Sequence, residues 1–194
     1  LREKYGVEIV AWVDSVGPES IAADEVDAGR ITRAHVDAHP VRCPVESARA
    51  RFTTAIEAAL ADSDSIGGTV RAVCRGLPAG WGEPVFDKAE ALLAHAMLSI
   101  PATKGFEIGS GFGGTSLRGS EHNDAFVPKG DSLGTATNRS GGIQGGITNG
   151  EPILFRVAFK PPATIGVAQQ TATFGGEDSV LEAKGRHDPC VVPR

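Results

Sequence analysis

The sequence predicts one domain of the α+β class. Three observations carry this expectation. Runs rich in β-branched and aromatic residues recur at residues 8–13, 69–74 and 153–159. Two intervening stretches repeat apolar residues at helical spacing. A glycine-dense segment, which a helix would not tolerate, fills much of the space before the last strand.

Residues 8–13 (EIVAWV) read as a short buried strand, and residues 14–45 as mixed structure broken at Gly17-Pro18 and His39-Pro40. Residues 46–62 predict the first helix: Phe52, Ile56, Ala59 and Leu60 form an apolar stripe, and Arg49, Arg51, Glu57 and Asp62 suit its wet faces. Glycine in the 64–68 segment is expected to end it. Residues 69–74 (TVRAVC) alternate as a strand does. A second helix is expected over 86–98, with Phe86, Ala89, Leu93, Ala96 and Met97 along one side and His95 partly buried; Pro101 closes it. Residues 105–150 hold 13 of the 25 glycines. They suit either a long insertion with short strands, such as 106–108, or a loop that brings backbone amides close to a ligand. Residues 153–159 (ILFRVAF) form the clearest strand, which delivers Lys160 and stops at two prolines.

A length of 194 residues fits one domain, spanning 1–194, and 41% hydrophobic residues suffice for a core. Leu1 opens the chain almost inside a strand pattern, and Arg194 closes it just after its richest motif. Truncation at both ends is therefore expected. The formal charge of −5 argues against general nucleic-acid affinity. No run approaches 18 apolar residues, so no membrane span is expected. Three cysteines without CxxC spacing argue against a disulfide scaffold or a thiolate zinc site. His35 and His39 have helix spacing for a metal, but Asp37-Ala38-His39-Pro40 reads as a loop, and no metal site is assigned.

Chemistry concentrates near the end of the chain. Arg186, His187 and Asp188 lie fenced between Gly185 and Pro189. Arginine grips phosphate with a planar fork, and a carboxylate beside it can move protons. Lys160 to Thr164 add a second cation and a hydroxyl. No dinucleotide fingerprint, Walker lysine or G-x-S-x-G elbow accompanies them. Such a tripeptide read alone is more often solvated surface than a site. Its context suggests a pocket for a phosphorylated ligand with acid–base chemistry at its mouth.

Five separated blocks resemble the chorismate synthase family: residues 85–90 (VFDKAE), 99–111 (SIPATKGFEIGSG), 140–147 (SGGIQGGI), 159–165 (FKPPATI) and 185–190 (GRHDPC). They lie in family order, and the match covers essentially the whole chain. The resemblance implies a β-α-β sandwich core, usually in a homotetramer. It implies a lyase of the shikimate pathway of aromatic amino acid biosynthesis, which makes chorismate from 5-enolpyruvylshikimate 3-phosphate by anti-1,4-elimination of phosphate. Reduced FMN is needed although nothing is oxidised overall, and NADPH is the reductant in members that reduce their own flavin. By the same resemblance, Asp188 and His187 are catalytic and Arg186 meets flavin and substrate. Pro101, Ala102, Gly145, Lys160, Pro161, Pro162, Ala163 and Thr164 border the flavin. The setting is cytoplasmic, or a plastid in a plant or alga. The chain departs from the family in length, about half, and in Arg139, where many members carry histidine. The substrate-binding amino-terminal part and a carboxy-terminal helical part have no counterpart, which implies half an active site. A non-catalytic flavin- or phosphate-binding module of the same fold is the alternative, and a structural fragment that binds nothing is a third.

Overall fold

Strand pairing organises the molecule around residues 153–159. The computed structural model describes residues 1–22, 24–185 and 188–194. After a one-turn helix α1 (Arg2–Tyr5), β1 (Glu8–Val16) turns into the two-residue β2 (Glu19–Ser20). Helices α2 (Arg33–Asp37) and α3 (Glu46–Ala61) precede β3 (Gly68–Arg75), and α4 (Ala89–Leu98) precedes β4 (Thr103–Ile108). The glycine-dense stretch carries a 3-10 turn (Gly111–Ser116), α5 (Gly119–His122), and the hairpins β5 (Phe126–Lys129) with β6 (Ser132–Thr135) and β7 (Ile143–Gln144) with β8 (Ile147–Thr148). It is therefore neither featureless nor wholly loop. β9 (Ile153–Phe159) follows, then a hairpin of β10 (Gln169–Ala172) and β11 (Asp178–Leu181).

The main sheet has the order β2-β1-β3-β9-β4, with every pairing antiparallel. β9 enters between β3 and β4, so it is hydrogen-bonded on both sides. That burial explains the near-continuous apolar run of Ile153–Phe159. Alternation sends Ala72, Phe155 and Val157 to one face, where Ala89, Leu93 and Met97 of α4 cover them. The other face carries Val10, Trp12 and Val73, packed in a cluster with Ala48 and Phe52 of α3. Helices on both faces of an antiparallel sheet give the α+β class expected.

Several local expectations are corrected. Leu60 of α3 is exposed; the helix buries Ala48 and Phe52 instead, with Ile56 partly buried beside them. α3 ends at Ala61 with Ser63 in the left-handed region (φ 56°), not at a glycine. Gly67 and Gly68 serve close approach: a Cβ would stand 2.4 Å from the Phe159 carbonyl oxygen at Gly67 and 2.1 Å from that of Ser15 at Gly68. Phe86 precedes α4 and is 86% exposed, while Ala96 and His95 face solvent. His35 lies in α2, where its ring accepts from the Thr32 N–H and completes a capping box. All three cysteines are buried and free, and burial raises the Cys74 thiol to about 11. Among the described residues no helix is long and apolar enough to cross a membrane, and no cluster of His, Cys, Asp or Glu is arranged to hold a metal.

Candidate functional site

The end of β9 builds one corner of the molecule. Proline has no N–H to extend a ladder, so Pro161 and Pro162 release the chain beyond Lys160. The Lys160 N–H donates to the Ala102 carbonyl at 2.9 Å. Ala102 itself stands at φ 68°, a left-handed conformation that non-glycine residues adopt at a cost. The Ser65 hydroxyl donates to the Pro162 carbonyl at 2.6 Å, and the Ile66 N–H to the Pro189 carbonyl at 2.7 Å. Four chain segments thus meet here: 65–67, 101–102, 160–162 and 189.

Asp188 enters through Pro189. Its carboxylate is about one-third exposed and pairs with Arg194 (Nη2 to Oδ1, 2.7 Å). An apolar cavity of about 510 Å³ opens alongside, lined in part by Ile100, Pro101, Phe159, Val192 and Arg194. The Lys160 ammonium reaches only the Pro161 carbonyl (3.1 Å) and has no carboxylate partner among the described residues. Ala163 and Thr164 are exposed beside it. Arg186 and His187 lie outside the described residues.

Gly145 is placed elsewhere. It and Gly146 form the two-residue turn of the β7–β8 hairpin, with φ of 61° and 88°. Both central residues of a type I′ turn need positive φ, which accounts for the glycine pair. The Gly146 carbonyl accepts from the N–H of Ala89, at the start of α4, whereas Ala102 and Lys160 lie beyond its other end. Between these two contacts in the chain runs α4, ten residues and about 15 Å long.

Two polar clusters were not anticipated. Register aligns Trp12, Arg71, Arg156 and Glu107 in one row across β1, β3, β9 and β4. Arg156 Nε donates to Glu107 Oε2 at 2.9 Å, and Arg71 Nε lies 3.1 Å from Oδ1 of Asp14. Asp14 occupies the bulge of β1, where the register slips between Val13 and Ser15, and it is 2% exposed. The visible signal was an arginine in the middle of each of two apolar strands. The second cluster is Asp124, which accepts from the Thr137 hydroxyl (2.6 Å) and from the N–H groups of Arg139 and Ser140 (2.8 Å each). Burial alone would raise its pKa, but these three donors outweigh it and hold the carboxyl below its usual range. No sequence spacing marks that role, because two of the donors are backbone groups.

Comparison with known proteins agrees with the motif reading. The chorismate synthase family model matches residues 1–194. A chorismate synthase of Synechococcus sp. (strain WH7803) is 58% identical over 195 residues, covering all of this chain and 53% of that protein. One from Schizosaccharomyces pombe is 52% identical over 219 residues, covering all of this chain and 55% of its own length. A crystal structure of chorismate synthase superposes with a TM-score of 0.72 at 29% identity, over 84% of this chain and 52% of the other. The chain spans about half the length of the curated relatives it matches. It belongs to the chorismate synthase family.

Proposed function

We propose that this chain supplies the flavin- and phosphate-facing part of a chorismate synthase site: the anti-1,4-elimination of phosphate from 5-enolpyruvylshikimate 3-phosphate, with reduced FMN as cofactor. The observation that carries the proposal is the corner itself, where Lys160 is tied to Ala102, Pro162 to Ser65 and Pro189 to Ile66. Three motif blocks widely separated in sequence converge there.

The residues fit a phosphorylated flavin. The Lys160 ammonium has no carboxylate partner among the described residues, and an apolar wall adjoins it. Lys160 and Arg186 would hold phosphate. Pro101, Ala102, Pro161, Pro162, Ala163 and Thr164 would border the ring and its chain. When bound, reduced FMN would supply electron density to the elimination. Lys160 supplies fixed positive charge where negative charge develops, and does so without reorganising at the moment of reaction. Asp188, oriented by Arg194, receives the proton lost from C6 of the substrate, with His187 as its neighbour in the relay. Gly145 is accounted for by its turn and is assigned to the flavin only by resemblance. A homotetramer in a cytoplasmic setting belongs to the same proposal.

The test uses a chimera in which this chain replaces the matching segment of the Synechococcus relative. Losing a charge-assisted phosphate contact costs about 1.5–3 kcal/mol. Lys160→Met should therefore weaken FMN binding about 10- to 100-fold in a flavin-fluorescence titration. Equal affinity in chimera and variant would overturn the assignment of Lys160.

A further inference from the structure

We propose that the cavity on the α3 face of the sheet, walled by Trp12, Arg71, Arg139 and Arg156, is a binding site for a small oxyanion, a phosphate or carboxylate group. The inference does not rest on the lyase reading. The cavity opens on the face away from α4, and neither Ala102 nor Lys160 lines it.

The cavity measures about 390 Å³, with Val26 on one side and Asn138 on another. That volume lies at the small end of ligand sites. It admits a phosphate or a short carboxylic acid with some water, and is too small for a nucleotide.

Among the described residues, two buried polar atoms of this cluster lack a hydrogen-bond partner: the indole N–H of Trp12, which is 2% exposed, and Oδ1 of Asp14, which is held only by its ion pair to Arg71. Buried N–H groups without a partner are rare, and each calls for an explanation such as a bound ligand or water. An indole can only donate, so its missing partner is an acceptor. Arg71 engages Asp14 through Nε, Arg156 engages Glu107, and Arg139 donates from Nη1 to the Glu121 carbonyl. Three guanidiniums against the carboxylates of Asp14 and Glu107 leave one positive charge in surplus. Asp14 and Glu107 hold two of the guanidiniums in place without consuming every N–H. Guanidinium forks match oxyanions bidentately, and a surplus cation together with an unspent donor selects an anion over a neutral or cationic guest.

The indole N–H is also the reporter. The chain has two tryptophans, Trp12 and the partly exposed Trp81, so a ¹⁵N-labelled sample gives two indole signals, assigned with Trp81→Phe. Inorganic phosphate and acetate are titrated separately, with ionic strength held constant by sodium chloride. The Trp12 signal should move saturably with at least one of them, while that of Trp81 stays. Response to phosphate alone assigns a phosphate group, and response to acetate alone a carboxylate. Arg139→Gln removes a guanidinium whose one side-chain bond is to a backbone carbonyl, and should weaken the response at least tenfold. If that variant loses its dispersed spectrum, Arg139→Lys keeps the charge without the fork and should also bind more weakly. The proposal fails if Trp12 is silent to both anions or shifts equally with chloride. It fails equally if the folded Arg139 variant binds as tightly as the parent chain.

Discussion

Asp124→Ala should destabilise the chain more than a single surface-loop substitution ordinarily does. Asp124 is 4% exposed and lies between α5 and β5, where its carboxylate gathers the Thr137 hydroxyl and the N–H groups of Arg139 and Ser140. Alanine strands both backbone donors; the hydroxyl can rotate away. Each stranded buried donor costs about 1–3 kcal/mol, so the expected loss is about 2–6 kcal/mol. For a chain of this size that lowers Tm by about 4–24 °C, at about 2–4 °C per kcal/mol. Urea unfolding followed by circular dichroism gives the free energy. Hydrogen exchange at Arg139 and Ser140 gives the local effect, which should exceed that at β9. The sign with pH follows from the lowered carboxyl: its stabilisation is complete above the unfolded value of about 3.9 and is lost as pH falls toward the folded value. Glu151 behaves alike, because bonds from Lys129 and the Thr135 N–H outweigh its burial. Stability should therefore fall below about pH 4, and Asp124→Ala should flatten that limb. A loss under about 1 kcal/mol, with an unchanged acid limb, would mean that Asp124 does not anchor these donors.

Phe52→Ala empties a fully buried site between α3 and the sheet and should cost about 3–5 kcal/mol in the same urea experiment. Gly145→Ala meets no atom within 4 Å but keeps φ near 61°, so it should cost about 1 kcal/mol through backbone strain alone. In the chimera its FMN affinity should stay unchanged; a tenfold weakening would place Gly145 at the flavin after all.

The main sheet was legible because its strands are apolar on one face or both. Ile153–Phe159 was read with its observed bounds, since a strand paired on both sides concentrates β-branched and aromatic residues. The β10–β11 hairpin was missed for the opposite reason: Gln169–Ala172 has no apolar face to betray it. Phe86 misled because hydrophobicity alone extended the α4 pattern backward from Ala89 to Phe86, which lies in the turn before the helix and is 86% exposed. Of the site, motif resemblance pointed to Ala102, Lys160 and Asp188. It could not show that Ser65 and Ile66 tie the 160–162 segment and Pro189 together, because each of those bonds ends on a backbone carbonyl. The arginine row escaped notice because alignment of Arg71 with Arg156 is a property of register, which neither strand reveals alone.

In the proposed lyase reaction, proton removal should depend on Asp188. The direct measurement is chorismate formation by the chimera under anaerobic conditions with pre-reduced FMN, so that flavin reduction does not limit the rate. Asp188→Asn preserves shape and hydrogen bonding but removes the proton acceptor, and turnover should fall by about 10²- to 10⁴-fold with FMN affinity nearly unchanged. Undiminished turnover in that variant would remove Asp188 from the proposed proton transfer.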